Sequence, residues 1–501
     1  LKNRAKPIMI QGTHSDAGKS IFVTALCRIF YQDGYLTAPF KSQNMALNSY
    51  ITLEGKEIGR AQGIQAEAAN VNATTVMNPI LIKPTGEYQS QIVVHGVPID
   101  NMKAQEYREG YYERAKSIIK TSLDQLLTTY ERIVIEGAGS PAEINLNDRE
   151  LVNMSIAKMA DAPVILVGDI DKGGVFASLV GTLQLLTKEE QERVVGVVIN
   201  KFRGDISLLE PGLKWFEEYT GKPVLGVIPY IPELLIDSED SLSLQKYTSK
   251  QNEHKDLDIA VIQYSRISNF TDIDPFEFEP DCHVRLVTRA GQLGQPDLII
   301  LPGSKNTIED LLYIKNKGIV QEIVAAFQKG SVIFGVCGGY QMLGEEVSDP
   351  EQIESTHKAI KGLGLLPIKT ILKRTKTTTR SNGYIHFCSE HVFVEGYEIH
   401  MGETRRTSNS SSFIHVAHEK DDGTINENET CMGTYFHGIF HNDQFRNVFL
   451  NQLRQRKGLA SINDRNSFVD KKHSEYDRLA GYIRQSVDIN NLYRIIDNFS
   501  D

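Results

Sequence analysis

Two stretches of this 501-residue sequence combine residue types and spacings that do chemistry. The first is Ile8 to Ser20, IMIQGTHSDAGKS, where an apolar run breaks into a glycine-bounded loop ending in Gly-Lys-Ser. A strand ending at Ile10 lets Gly12, Thr13 and Gly18 turn backbone N–H groups inward, and a helix starting near Gly18 aims its positive end at an anion. Lys19 is then expected on the outer phosphates of a nucleotide and Ser20 on a magnesium ion. The strict pattern G-x-x-x-x-G-K-[ST] requires glycine where Thr13 stands, and this chain has Gly12 one place earlier. An ordinary glycine-rich strand-to-helix turn is the alternative, but the flanking elements and the Lys-Ser pair favour nucleotide.

The second stretch is Val336-Cys337-Gly338-Gly339, which follows an apolar strand and precedes the helix-like run GYQMLG. A sharp turn there exposes a thiol at a helix N-terminus, where the dipole favours thiolate. The Gly338 N–H faces a developing oxyanion, and Gly303, in Leu301-Pro302-Gly303-Ser304, is the candidate second donor. Cysteine chemistry needs a base, and His437, in Tyr435-Phe436-His437-Gly438, ends a late strand. A buried structural cysteine and an unrelated histidine are the bland alternative.

Positioning these residues requires strands whose ends converge. Apolar runs at Arg132–Gly137, Ala162–Asp169, Val194–Asn200 and Pro223–Pro229 alternate with helical segments around 21–30, 58–69 and 107–130. That alternation predicts a parallel sheet covered on both faces, with ligands at the carboxyl ends of its strands. Glu136, after an apolar strand and before two glycines, is the expected magnesium ligand beside Ser20. Asp16, Asp169 and Asp171 are further metal or water-orienting candidates. The polar run from 237 to 256 reads as a linker. A second alternating series begins at Leu257 and includes His283–Thr288, Asp297–Gly303 and Ser331–Gly339. The basic, threonine-rich segment Lys369–Arg380 is expected to be a loop, and the last fifty residues carry helical patterns without evident chemistry. The expected organisation is α/β: residues 1–236, a linker at 237–256, a second parallel-sheet domain at 257–450 and a helical segment at 451–501.

Composition narrows the function classes. The formal charge of −10, from 54 basic and 64 acidic residues, argues against broad nucleic-acid affinity. Five widely separated cysteines offer no C-x-x-C spacing and suggest a reducing cytoplasm. No apolar stretch approaches the ~20 residues of a membrane span, and the N-terminus carries no signal-peptide core, so neither membrane nor export is expected.

GVCGGYQMLG, PGSKNT and YFHGIF resemble the glutaminase domain of class I (triad) glutamine amidotransferases, which are flavodoxin-like. The N-terminal half, including EGAGS, resembles dethiobiotin synthetase and its P-loop relatives. Across almost the whole chain, PFKSQNMALNSY, GRAQGIQAEAA, MNPILIKP, EGAGSPAEINL, GDIDKGGVFASL, NKFRGD and GYEIHMG resemble the cobyric acid synthase family of cobalamin biosynthesis.

The resemblance implies an ATP- and Mg2+-dependent amide ligase with glutamine as ammonia donor. It would amidate carboxylates of a corrinoid, adenosylcobyrinic acid a,c-diamide, through acyl phosphates. It also implies a phosphoryl-contacting role for Lys41, after the second strand, and an adenine contact for Asn200. Gln43, Asn44, Arg60, Gln62, Lys172, Lys201 and Arg203 are regional candidates for the corrinoid. Many triad enzymes place glutamate two residues after the histidine, where this chain has Ile439, so a Cys337–His437 dyad is expected. Glu398 or Glu403 is a candidate to orient the ring, with a surface or substrate-contacting role at least as well supported. The nearest alternative is the cobyrinic acid a,c-diamide synthase. A partition-type positioning ATPase, from another class, would carry an additional lysine where His14 and Ser15 stand.

Overall fold

A computed structural model of the chain describes residues 4–84, 89–232, 234–236, 254–408, 410–416 and 421–499. Most of the expected linker, residues 237–253, lies outside the described residues. The chain forms two compact units. One comprises Leu1–Ala46, Glu57–Ile236 and Lys472–Asp501; the other comprises Leu47–Lys56 and Asp237–Lys471.

The first unit is built on six parallel strands, in the order Val224–Pro229, Val194–Phe202, Val164–Asp169, Lys6–Gly12, Arg132–Glu136 and Thr37–Phe40. The chain starts in the middle, moves to one edge and then resumes on the other side. Lys6–Gly12 is therefore the switch point at which loops splay apart and leave a crevice. Its apolar residues, with Val134, Ile165 and Val198, meet Phe22, Leu26 and Phe30 of helix Lys19–Gln32 in the core.

The late helices Phe468–Ser486 and Ile489–Asn498 contribute Tyr476, Leu479, Ile483, Leu492 and Ile496 to the same core. The C-terminal segment is helical as expected, and its part from Lys472 onward completes the first unit. A second, four-stranded sheet joins Gln43–Met45, Ile80–Pro84, Gln89–Val94 and Val97–Lys103. The pattern expected at 107–130 resolves into two helices, Ala104–Gly110 and Tyr112–Thr129.

The second unit carries five parallel strands, in the order Cys282–Val287, Leu257–Ile262, Leu298–Leu301, Val332–Val336 and Cys431–Thr434, with Thr424–Ile425 antiparallel at the edge. Beside it runs a long antiparallel pair, Ile368–Phe387 with Glu390–Arg406. Lys369–Arg380, expected as a loop, lies inside this pair. Alternating burial through Ile368–Leu372 and β-branched threonines suit a half-covered strand, and the lysines and arginines occupy its wet face.

Two sheet neighbours of the second unit are tied by a buried bidentate pair. Arg285 Nε and Nη2 donate to the two oxygens of Asp258 at 2.7 and 2.9 Å, with the residues 2% and 5% exposed. Arg285→Met strands a buried carboxylate, so it should destabilise the second unit by about 3–5 kcal/mol. Chemical denaturation is the check, and a change below about 1 kcal/mol contradicts this role for the pair.

Candidate active sites

In the first unit the loop after Lys6–Gly12 makes a tight cradle. Gly18 adopts φ 99°, and a Cβ placed on it would stand 1.9 Å from Asn200 Nδ2, so both the backbone conformation and the space demand glycine. Asn200 Nδ2 donates to Ala17 O at 2.9 Å, and its Oδ1 accepts from Lys201 N at 2.8 Å. The Nδ2 end ties the loop to this strand, and the Oδ1 end bonds the backbone of the next residue. Thr13 N is bonded to Val167 O, while Lys19 Nζ donates to His14 O and Gly139 O at 2.9 and 3.1 Å. The lysine folds back across the mouth of the cradle and holds it in shape.

Glu136 collects the neighbouring groups. Its Oε1 accepts from Ser20 Oγ and Lys41 Nζ, each at 2.8 Å, and its Oε2 accepts from Gln65 Nε2 at 2.5 Å. Burial opposes its ionisation, but the Lys41 ammonium and the bonds from Gln65 and Ser20 outweigh it and hold the carboxyl below its usual range. Lys41 is fixed through its backbone, whose N–H donates to Met77 O and whose carbonyl accepts from Asn78 Nδ2.

Behind Gln65 the buried amides continue. Gln62 Nε2 reaches Gln65 Oε1 at 3.4 Å, and Asn44 Nδ2 reaches Gln62 Oε1 at 3.0 Å. Asn44 and Gln62 therefore belong to a buried chain leading to Glu136, and Arg60 is also buried. Gln43 is half-buried, while Lys172 and Arg203 are exposed. Arg203 pairs with Asp171 at 3.1 Å and stacks over Tyr230. Lys201 bridges Asp169 Oδ2 and Asp16 O at 2.7 and 2.8 Å. Asp16 itself is exposed, at φ 61°.

The Ser20 and Glu136 oxygens fit Mg2+, which keeps several waters and takes few protein ligands. Lys41 Nζ occupies the same carboxylate oxygen, so a metal ion there would share Glu136 with this ammonium. Among the described residues, no group of three or more His, Cys, Asp or Glu could hold a metal.

In the second unit Val332–Val336 runs into Cys337, which adopts φ 51° and ψ −109° before helix Gly338–Met342. A non-glycine residue in this region is strained, and such strain gathers at reactive positions. The turn is tight: a Cβ on Gly339 would lie 1.9 Å from Leu301 O, and one on Gly338 would lie 2.8 Å from Ser304 N. Gly338 thus packs against the Pro302–Ser304 turn.

The Pro302–Ser304 turn is held by a short ladder. Ile267–Ser268 pairs antiparallel with Gly303–Ser304, and Lys305 N donates to Arg266 O at 2.9 Å. Antiparallel ladders alternate bonded and non-bonded pairs, so Gly303 directs its N–H at Ser268 and Ser304 keeps its own outside the ladder. Ser304 Oγ donates to Asp310 Oδ2 at 2.6 Å, which fixes that turn. Burial, moderated by Ser304, pushes the Asp310 carboxyl up to about 6.

His437 is fully buried. Its Nδ1 lies 2.7 Å from Asp272 Oδ2, and the other Asp272 oxygen accepts from Gly438 N at 2.6 Å. Burial alone would lower the imidazole pKa, but the Asp272 carboxylate, and then the Cys337 sulfur, raise it to about 10. Nε2 has no hydrogen-bond partner of normal geometry among the described residues, although the sulfur is near enough to affect the ring.

The carboxylate that meets the His437 ring is thus Asp272, and neither Glu398 nor Glu403. Glu398 bonds Ser381 Oγ and His400, while Glu403 pairs with Lys373 and Arg405. Asp272 stands 165 positions before His437 in a short, non-periodic segment. The run FTDID offers no spacing signal that could have singled it out. The Cys337 thiol touches Ile399 O at 3.6 Å, and the residues flanking Ile399 line a cavity of about 630 Å³ together with Tyr340, Asp422 and Tyr435.

Two family models match the chain. A model described as a CobQ/CobB/MinD/ParA nucleotide binding domain matches residues 8–244, and one described as a CobB/CobQ-like glutamine amidotransferase domain matches residues 258–445. The cobyric acid synthase of Geobacillus sp. (strain WCH70) is 61% identical, with 97% of this chain and 96% of that protein covered. The chain belongs to the cobyric acid synthase family. Relatives of the same name from Geobacillus thermodenitrificans and Streptococcus sanguinis are 56% and 49% identical, each match covering 98% of this chain and 98% and 99% of the relative. In this member no described helix is long and apolar enough to cross a membrane.

The His437–Asp272 pair carries a pH signature. Its folded pKa of about 10 lies above the ordinary 6.5, so its stabilisation is complete below about 6.5 and is lost as pH climbs through about 10. Asp272→Asn should lower the ring's pKa and abolish that alkaline loss. NMR titration of the His437 ring, with thermal melting between pH 6 and pH 11, is the measurement; an unshifted ring titration contradicts the pairing.

Proposed function

We infer that this chain is a cobyric acid synthase, a ligase that uses ATP and glutamine to amidate peripheral carboxylates of adenosylcobyrinic acid a,c-diamide, at positions b, d, e and g. The observation that carries this reading is the 61% identity to a cobyric acid synthase across 97% of the chain. The a,c-diamide synthase and positioning-ATPase alternatives gain no support from any feature described above.

In our reading glutamine is cut at Cys337. The sulfur attacks the carboxamide carbon, the Gly338 and Ser304 N–H groups meet the developing oxyanion, and His437 delivers a proton to the departing ammonia. Asp272 keeps the imidazole oriented and stabilises its charged form, as the third group of a triad does. Water then cleaves the thioester, giving glutamate and restoring the thiol.

Ammonia does not displace an oxygen from a free carboxylate, so the corrinoid carboxylate first takes the γ-phosphoryl group of ATP. Ammonia attacks the acyl phosphate and phosphate leaves, giving amide, ADP and phosphate. Such transfer depends on positioning and charge neutralisation. Lys19 and Lys41 supply positive charge, and the loop N–H groups with the helix N-terminus hold the phosphates. Ser20 and Glu136 would hold Mg2+, which neutralises phosphate charge when bound; Asp16 is a weaker candidate for the same shell. Gln43, Asn44, Arg60, Gln62, Lys172 and Arg203 remain our candidates for the corrinoid region, with Asn44 and Gln62 acting through the amide chain to Glu136. Five free cysteines suit the reducing cytoplasm to which we assign the protein.

Product mass tests the reading. Incubation with the a,c-diamide, ATP, magnesium and glutamine should lower the corrinoid mass by about one unit per amide formed, since each replaces a hydroxyl by an amino group. Cys337→Ala should abolish glutamine-supported synthesis and retain the ammonia-supported reaction. Glu136→Gln should lower both about 10²-fold or more. No mass change with the unaltered protein, or loss of ammonia-supported synthesis in Cys337→Ala, contradicts it.

A further inference from the structure

Residues 47–56 follow Lys41 and Asn44 in the N-terminal part of the sequence, yet they belong to the unit that contains Cys337 and His437. Two of their contacts within that unit lead to the buried imidazole.

The first contact is a reciprocal pair of hydrogen bonds. Asn48 Oδ1 accepts from Asn269 N, and Asn269 Oδ1 accepts from Ser49 N, both at 2.9 Å. Both asparagines are buried, at 2% and 5% exposure. Asn269 adopts φ 51° and opens the short turn Phe270–Ile273, which contains Asp272. Outside glycine, asparagine is among the residues that best tolerate this conformation, but it needs partners to hold one there. Asn48 and Ser49 provide them three residues before the carboxylate that orients His437.

The second contact leads to the residue stacked on the ring. Arg380 Nε and Nη2 donate to Ile51 O at 3.2 and 3.0 Å. Arg380 stands opposite Tyr397 in the long antiparallel pair. Tyr397 exchanges backbone hydrogen bonds with His437 at 3.1 and 2.8 Å, and the two rings stack at 5.1 Å with planes 19° apart. Asp272 and Tyr397 thus hold the imidazole, and each is braced by residues 47–56.

We propose that residues 47–56 are a positioning element of the glutaminase centre, with Asn48 setting Asp272 through Asn269 and Ile51 setting Tyr397 through Arg380. This rests on reading Cys337 and His437 as that centre. Glutamine cleavage then depends on a stretch that begins six residues after Lys41. Displacement of a catalytic group by about 1 Å costs up to about 10²-fold in rate, so loss of either brace should register in turnover before glutamine affinity.

The test uses the full chain and measures glutamine hydrolysis beside ammonia-supported amidation. Asn48→Ala should lower kcat for glutamine about tenfold or more, leave KM within about twofold, and leave ammonia-supported synthesis within about twofold. Asn48→Asp keeps an acceptor for Asn269 N and should recover kcat to within about threefold of the unaltered protein. Arg380→Ala, which touches the other brace, should also lower kcat and serves if Asn48→Ala does not fold. A parental kcat in Asn48→Ala or Arg380→Ala, equal loss of both reactions, or failure of Asn48→Asp to recover overturns the proposal. If the unaltered protein does not hydrolyse glutamine, the functional reading itself fails.

Discussion

The second unit is organised around a buried charge that must not be left alone. An imidazolium in a fully buried position is costly unless a counter-charge meets it with good geometry. Asp272 does this with one oxygen on Nδ1 and the other on the Gly438 N–H, so ring and turn are fixed together. Once that pair is set, Nε2 is directed away from Asp272, and the strained backbone at Cys337 holds the sulfur near the ring. The long antiparallel pair follows the same constraint, because it must bring Tyr397 against the imidazole and Ile399 O against the thiol.

The first unit solves a related problem with the opposite sign. Glu136 ends a central strand, buried, and stays ionised because Lys41, Gln65 and Ser20 converge on it. The ammonium on its Oε1 compensates the carboxylate, and the relay from Asn44 through Gln62 to Gln65 fixes the other oxygen. Preorganisation of this kind matters for phosphoryl transfer, where the protein contributes mostly position and charge. The glycine at 18 and the amide of Asn200 show the same economy, since the space closed to a side chain is what lets the loop be tied to the sheet.

The two halves are interleaved in sequence. Residues 472–501 return to complete the first core, and residues 47–56 belong with the second unit. A linear division of the chain into consecutive domains misses both exchanges, because hydrophobic periodicity reports a buried face without naming what covers it. Tyr476 and Leu492 read only as a helix stripe; Asn48 and Asn269 carry no periodic signal at all.

The strands, the glycine cradle with Lys19 and Ser20, and the Cys337 turn were legible in the sequence because each depends on local rules: β-rich apolar runs, glycine where φ is positive, and a helix start beside a reactive group. Glu136 was legible because a carboxylate ending a parallel strand has one place to go. Lys369–Arg380 misled because charge on its outer face hid the alternation beneath. Tertiary structure alone could bring Asp272 to His437 from 165 positions away, place Gln65 on Glu136, and put Gly303 rather than Ser304 in the bonded register of its short ladder. Those contacts join segments that are distant in the chain or depend on ladder register, and neither property is written in the spacing of residues along it.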